Sequence, residues 1–278
     1  MTTSMNSSQV VCALTIAGSD SGGGAGIQAD LKTFAAHRVH GLSAIAALTA
    51  QHTRGVTAVH LPDTGFLRAQ MDACFDDCRI GAVKLGMLAS AEVILAVADA
   101  LEVHRPAHVV LDPVMVATSG ARLLEPAALE ALRERLMPLA TLVTPNLPEA
   151  ELLLGHAVTT APAMQEACHG LLAAGARAVL LKGGHLDDGG DVIDLLATSR
   201  NAPIEAIRHP RLALEAHGTG CTLASAIAAN LALGADLSTA CRVASDYVHR
   251  ALLGGYRPGQ ADVVVLDHFG AGASGAVR

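Results

Sequence analysis

Short aliphatic runs alternate with longer amphipathic segments along most of this 278-residue chain. This alternation is typical of βα units built around a mostly parallel sheet. Strands are predicted near Val10–Ala17, Ser43–Ala50, Ala82–Leu85, His108–Leu111, Thr141–Thr144 and Ala178–Leu181, followed by a weaker strand pair at Asp191–Ala197 and Ile204–Arg208. Helices are predicted over Gly26–His37, Asp63–Cys78, Ala91–His104, Pro126–Leu136, Pro148–Leu154, Pro162–Ala174, Thr219–Leu233 and Leu237–Leu252. The pattern predicts an α/β fold.

No change of composition interrupts this pattern, so a single domain is predicted from residue 10 to residue 269. Hydrophobic residues make up 51% of the chain and charged residues 16%, which supplies ample material for a buried core. We expect the polar residues 1–9 to be disordered and the glycine-rich residues 270–278 to form a flexible tail.

The composition also excludes several classes of protein. The longest nearly apolar stretch, Leu223–Ala235, contains polar residues and is shorter than the ~20 residues of a membrane span. Residues 1–9 lack the basic and apolar regions of a secretory signal, and six scattered cysteines without a CxxC pair predict reduced thiols. The net charge of −7 and the lack of a basic cluster disfavour a nucleic-acid partner. We therefore expect a cytoplasmic protein without membrane or nucleic-acid partners.

Two glycine-rich loops are candidate binding sites. The loop 18–26 follows the first strand, where backbone N–H groups unhindered by side chains can face a ligand. It matches neither a Walker A loop nor a dinucleotide loop, and a plain strand-to-helix turn explains it equally well. The segment 217–222 opens the most apolar helix, whose N–H groups and positive end favour an anion such as a phosphoryl group. The same helix end predicts a lowered thiol pKa for Cys221.

Two further segments carry polar side chains at strand ends. Asn146 and Glu149 lie three residues apart at a helix start, where an amide and a carboxylate can organise water and Mg²⁺. Their spacing also fits an N-cap and its capping-box partner, which spacing alone slightly favours. Lys182 ends a strand and precedes two glycines, so it is able to reach phosphate oxygens as a point charge.

Taken together, these segments occur in an order that resembles one family, the hydroxymethylpyrimidine/phosphomethylpyrimidine kinases. The resemblance covers about residues 10–269, and the segments that carry it are Ala17–Phe34, Asp112–Met115, Thr144–Ala150, Lys182–His185 and His217–Thr222. It implies a ribokinase-like three-layer α/β/α sandwich with a mostly parallel central sheet and a small edge-strand lid over the substrate. It also implies a homodimer that uses ATP and Mg²⁺.

The resemblance assigns roles to individual residues. In related kinases an aspartate general base opens a helix where this chain has Cys221, a replacement characteristic of the hydroxymethylpyrimidine branch. Cys221 would help to activate the substrate hydroxyl, while the developing charge would be held by Gly218, Thr219, Gly220 and Lys182. The residues expected around the pyrimidine are Gly18, Ala25, Asp30, Met87, Val114 and, reading the ring with its amide, Gln51. Those expected on the ATP side are Thr144, Asn146, Lys182 and Glu149, the last binding Mg²⁺ through water.

The implied activity is ATP-dependent phosphorylation of 4-amino-5-hydroxymethyl-2-methylpyrimidine and then of its monophosphate, in thiamine biosynthesis. A pyridoxal kinase is the nearest alternative, which Gln51 disfavours because pyridoxal has no exocyclic amine for the amide to pair with. A non-catalytic binding protein is disfavoured by the intact Lys182 and Glu149, and a Rossmann oxidoreductase by the glycine spacing. The chain departs from the family at position 22, where the family often has a serine. Gly22 removes one possible hydroxyl contact.

Overall fold

The computed structural model describes residues 10–115, 126–186 and 189–272. The central sheet has nine strands, in the spatial order β3 (Gly55–His60), β2 (His40–His52), β1 (Cys12–Gly18), β4 (Ile80–Leu85), β5 (Val109–Leu111), β6 (Leu142–Val143), β7 (Val179–Leu181), β8 (Val192–Ala197) and β9 (Glu205–His209). The helices are α1 (Gly26–Ala36), α2 (Thr64–Asp77), α3 (Ala91–His104), α4 (Pro126–Ala131), α5 (Leu147–Leu154), α6 (Ala161–Ala173), α7 (Thr219–Ala232), α8 (Leu237–Leu253) and α9 (His268–Gly272). A π-helical turn, Leu132–Leu136, follows α4.

The six central strands, from β2 to β7, run parallel to one another. Antiparallel strands close both edges, β3 beside β2 on one side and the β8–β9 pair on the other. A separate parallel pair joins β10 (Ala216–His217) to β11 (Val264–Val265). The predicted mostly parallel sheet is confirmed, and the β2–β3 hairpin forms one of its edges.

The alternating direction of side chains along the central strands divides the core into two halves, one on each face of the sheet. In β1, Leu14 and Ile16 belong to the core that packs against α2 to α6, whereas Ala13 belongs to the core that packs against α1, α7, α8 and α9. This follows from the period of two in a strand, which points successive side chains to opposite faces. Both faces of the sheet are therefore covered, as the predicted three-layer sandwich requires.

The strands and helices that sequence periodicity predicted are present with small changes in their ends. Three strands were missed: β3, whose side chains are half-buried or exposed, and the two-residue strands β10 and β11. Past the predicted boundary at residue 269, α9 continues to Gly272 and buries Ala271. Residues 1–9 and 273–278 lie outside the described part of the chain. None of the described helices is long and apolar enough to cross a membrane.

Candidate active site

A cavity of about 850 Å³ opens at the carboxyl ends of the parallel strands, where open α/β sheets bind their ligands. It brings together most of the residues predicted for the site: Gly18, Ala25, Gln51, Met87, Val114, Asn146, Glu149, Lys182, Gly218, Thr219, Gly220 and Cys221. Asp30 and Thr144, also predicted there, are fully buried and do not line the cavity. Further polar side chains line it without having been assigned a role from the sequence: Asp20, Lys84, Asp112 and His217.

The first glycine loop is folded around the carboxylate of Asp20. The Asp20 Oδ2 atom accepts hydrogen bonds from the backbone N–H groups of Gly24 and Ala25, at 2.9 and 2.8 Å, and Oδ1 accepts one from Gly22 at 2.8 Å. Burial raises the pKa of Asp20, but the hydrogen bond with His217 and those from the Ala25 and Gly22 N–H groups outweigh it, so the pKa lies below its usual value. The expectation that this loop offers several N–H groups to a ligand is wrong for these three, because they bind Asp20 instead.

A serine hydroxyl still serves this loop despite the glycine at position 22. Ser21 Oγ donates to the carbonyl oxygen of Gln51 and accepts from the Gln51 N–H, both at 2.8 Å. A β-carbon at Gly22 would lie 3.1 Å from Asp20 Oδ1 and 3.3 Å from the Gln51 carbonyl oxygen. The loop therefore clamps the main chain of Gln51 through Ser21, and position 22 has little room for a larger residue.

The second loop leads into α7 through Gly218, which has φ +86°. A β-carbon there would lie 2.0 Å from the Gly24 carbonyl oxygen, so only glycine fits between the two loops. The first N–H groups of a helix have no partner within the helix, and Gly218 has no side chain to cap them. The N–H groups of Thr219, Gly220 and Cys221 therefore remain available to an anion in the cavity.

The thiol of Cys221 does not have the lowered pKa that its helix position predicted. Burial raises its pKa to about 11, the ammonium of Lys84 lowers it in part, and the carboxylates of Asp30 and Asp112 raise it. The desolvation of a thiolate thus outweighs the favourable helix end. Cys221 is a protonated thiol at neutral pH.

Lys182 forms an ion pair with Asp112 beside the α7 terminus. Its Nζ lies 2.8 Å from Asp112 Oδ1 and 4.0 Å from Glu149 Oε2. Burial lowers the pKa of Lys182, but the two carboxylates overcome this and raise it above its usual value. Thr144 Oγ1 donates to Asp112 Oδ1 at 3.2 Å, so Thr144 supports Asp112 from below the cavity. A β-carbon at Gly220 would lie 3.1 Å from Lys182 Nζ, which brings the ammonium close to the helix N–H groups.

Glu149 is both a structural partner and a cavity residue. The capping box is present: Asn146 N–H donates to Glu149 Oε2 at 2.8 Å, and Glu149 N–H donates to Asn146 Oδ1 at 2.9 Å. Burial raises the pKa of Glu149 to about 7, Lys182 lowers it and Asp112 raises it further. Two carboxylates that share one lysine leave negative charge unbalanced, which suits an oxygen-seeking cation. In the described ranges no group of three or more His, Cys, Asp or Glu side chains could hold a metal ion directly.

Asp30 lies beneath the cavity in a network without solvent exposure. Its Oδ2 accepts from Lys84 Nζ at 2.9 Å and from Thr15 Oγ1 at 2.6 Å, and its Oδ1 accepts from Ser225 Oγ at 2.7 Å. Both side chains of the Asp30–Lys84 pair are 0% exposed. Asp30 is therefore a support for α7 and β4 in this structure, whereas its partner Lys84 reaches the cavity wall.

Gln51 lies at the cavity edge near the end of β2. Its Nε2 lies 2.9 Å from His217 Nε2, and its Oε1 lies 3.2 Å from Thr49 Oγ1. His217 Nε2 is also 3.2 Å from Asp20 Oδ2. The sequence contained a signal for two of the missed residues, because His217 directly precedes Gly218 and Asp20 is separated from Gly22 only by Ser21.

Comparison with known proteins agrees with this geometry. A family model described as "Phosphomethylpyrimidine kinase" matches residues 20–265. The protein belongs to this family. A hydroxymethylpyrimidine/phosphomethylpyrimidine kinase of Rhizobium meliloti is 51% identical over 86% of this chain and 90% of that protein. A thiamine biosynthesis bifunctional protein of Geobacter sulfurreducens is also 51% identical, but the chain spans only 48% of its length.

Solved structures show the same fold. A phosphomethylpyrimidine kinase of Clostridium difficile shares 42% identity with a TM-score of 0.77, covering 87% of this chain and 99% of that one. A Bacillus subtilis pyridoxal kinase in complex with ADP shares 35% identity with a TM-score of 0.85, covering 94% and 98%. The kinase with the greater sequence identity thus has the lower TM-score of these two.

Proposed function

We propose that this protein transfers the γ-phosphoryl group of ATP to the 5-hydroxymethyl oxygen of 4-amino-5-hydroxymethyl-2-methylpyrimidine, and then phosphorylates the monophosphate. The observation that carries the proposal is a single cavity lined by the Gln51 amide, the α7 terminus and Lys182. The names of the relatives that are about half identical support the pyrimidine as substrate.

The transfer depends on charge and position more than on a strong base. The N–H groups of Thr219, Gly220 and Cys221, together with Lys182, would bind the oxygens of the transferring phosphoryl group. Such transfers pass through a loose transition state that needs little removal of the hydroxyl proton beforehand. A protonated Cys221 thiol fits this role, since it contributes its backbone N–H and contacts the substrate hydroxyl without being a thiolate.

The residues present also suit Mg²⁺. Asp112 would hold the ion by its carboxylate and Glu149 through water, and the charge left unbalanced around Lys182 favours such a cation. Bound Mg²⁺ supplies neutralisation of the phosphate charge.

We extend the proposal to the chain as a whole: one kinase domain, acting in the cytoplasm on a small molecule, as a homodimer. Exposed apolar side chains on the β2–β3 hairpin support self-association, with Leu48 43% and Val59 45% exposed. Light scattering across a concentration series tests the dimer, and a constant monomer mass would contradict it.

A coupled ATP-consumption assay tests the reaction. Wild-type protein and Gln51→Met are given Mg²⁺ with either the pyrimidine or pyridoxal. We expect turnover of the pyrimidine that collapses in Gln51→Met. The TM-score of 0.85 to a pyridoxal kinase keeps pyridoxal as the second candidate, and equal or faster turnover of pyridoxal by the wild type would replace the first assignment.

A further inference from the structure

A chain of hydrogen-bonding groups joins the first loop, the end of β2 and the second loop. It runs from the Ser19 carbonyl through Thr49, Gln51 and His217 to the carboxylate of Asp20. Thr49 has a single hydroxyl proton, and Thr49 Oγ1 donates it to the Ser19 carbonyl oxygen at 2.8 Å. Towards Gln51, Thr49 is consequently left only as an acceptor, so the amide end facing it should be the NH₂ group. This orientation reverses the Oε1 and Nε2 positions given above for Gln51.

The opposite end of this chain leads to the same conclusion. Asp20 is 2% exposed and already binds three backbone N–H groups, so its carboxylate is ionised and only accepts. His217 Nε2, 3.2 Å away, must therefore carry a proton. This one proton is shared between Asp20 Oδ2 and the Gln51 amide atom that lies 2.9 Å from the nitrogen, so that amide atom must be an acceptor. The two ends of an amide have nearly the same shape, so protons decide its orientation.

We propose that His217 is a positioning residue that holds the Gln51 amide with its oxygen towards the imidazole and its nitrogen towards Thr49. The amide has two N–H donors and two lone pairs, of which this chain uses one each. The remaining donor and acceptor lie side by side, the donor nearer Thr49 and the acceptor nearer His217. His217 thereby selects the polarity of the ligand edge that Gln51 can pair with.

The selected ligand offers an acceptor next to a donor. The ring nitrogen and exocyclic amine of a 4-aminopyrimidine have this order, whereas the 4-oxo analogue presents a ring N–H and a carbonyl oxygen in the reverse order. The inference rests on the proposed function, because it takes the pyrimidine to face Gln51. With the oxo analogue, a donor would face a donor and an acceptor would face an acceptor, which leaves desolvated polar groups unpaired. The kcat/KM for the oxo analogue should therefore be roughly 10- to 100-fold lower. An amide free to rotate would lose this selectivity.

The first test compares kcat/KM for the 4-amino substrate and its 4-oxo analogue in wild type, His217→Leu and His217→Gln. Leucine removes the donor, and we expect the amino-to-oxo ratio to fall about tenfold or more with little change in the KM for ATP. Glutamine places an N–H near the position of Nε2 and should restore most of the ratio. A ratio that stays at the wild-type value in His217→Leu overturns the proposal, even if total activity falls.

The second test needs neither activity nor a stable variant. Wild-type protein labelled with ¹⁵N in histidine is measured by NMR without ligand at neutral pH, and the ring signal of His217 reports which nitrogen is protonated. A proton on Nε2 supports the proposal, and a bare Nε2 overturns it. If the wild type failed to phosphorylate the pyrimidine, the proposed function would be wrong, while this spectrum would still decide the state of His217.

Discussion

Replacing Lys84 by methionine should destabilise the fold strongly, because it leaves the Asp30 carboxylate buried without a counter-charge. Both side chains are 0% exposed, and Lys84 Nζ lies 2.9 Å from Asp30 Oδ2. Breaking a buried pair by removing one partner costs about 3–5 kcal/mol. The remaining bonds from Thr15 and Ser225 hold the carboxylate in place but do not neutralise it.

Urea unfolding gives the measurement. With a slope of about 3 kcal/mol per molar urea, the midpoint should fall by about 1 M or more in Lys84→Met. A matched control is Arg68→Met, which breaks the surface pair with Asp72 and should cost less than about 1 kcal/mol. The double variant Asp30→Asn/Lys84→Met should be more stable than Lys84→Met, since no unpaired charge stays buried.

The contribution that Lys84 makes in the wild type should be independent of pH between about 6 and 9. Burial lowers the pKa of Lys84, but Asp30 overcomes this and raises it above its usual value. A raised folded pKa means that the lysine's contribution is complete below the unfolded pKa and is lost only as the pH rises through the folded value. A loss under 1 kcal/mol in Lys84→Met, or a double variant whose loss equals the sum of the single losses, would refute the reasoning.

Three other perturbations follow from the site. Glu149→Gln should stabilise the ligand-free protein at pH 8 by up to ~3 kcal/mol and change its stability little at pH 4. The reason is that the buried carboxyl has a pKa of about 7, so its ionised form destabilises the fold above that pH. Melting curves at both pH values measure this, and an equal effect at both would contradict it. Gly218→Ala should lower the urea midpoint more than Gly155→Ala. Both glycines have positive φ, but only at Gly218 would the added β-carbon meet a backbone oxygen, at 2.0 Å. Equal midpoints would contradict the steric argument. Cys221, with a thiol pKa of about 11, should react slowly with iodoacetamide at pH 7 and much faster near pH 11, as mass spectrometry would show; fast labelling at pH 7 would mean a thiolate.

Features encoded by neighbouring residues could be predicted from the sequence. The helix start at Gly218, the strand end at Lys182 and the capping box of Asn146 with Glu149 each depend on a few adjacent positions. Alternating apolar residues likewise predicted the strands of the central sheet. Together with the family resemblance, these local signals identified twelve of the residues that line the cavity.

What could not be predicted depends on contacts between distant segments. The helix terminus beside Cys221 is visible in the sequence, but the burial and carboxylates that raise its pKa come from the folded arrangement. Asp30 stands in the first helix, and nothing local indicates that its carboxylate points to Lys84 rather than to the cavity. Asp20 and His217 lie in the two predicted loops, yet their contact becomes evident only in the folded arrangement of both loops.

The closeness of the two glycine loops bears on how the chain acquires its function during folding. Asp20 and His217 are separated by 197 positions, and Asp30 and Ser225 by 195. Closing such long segments makes folding slow, and the binding surface forms only when the two ends of the domain have met. A ligand of this cavity should therefore stabilise only the completed domain, which makes ligand-dependent protection from proteolysis a direct measure of full folding.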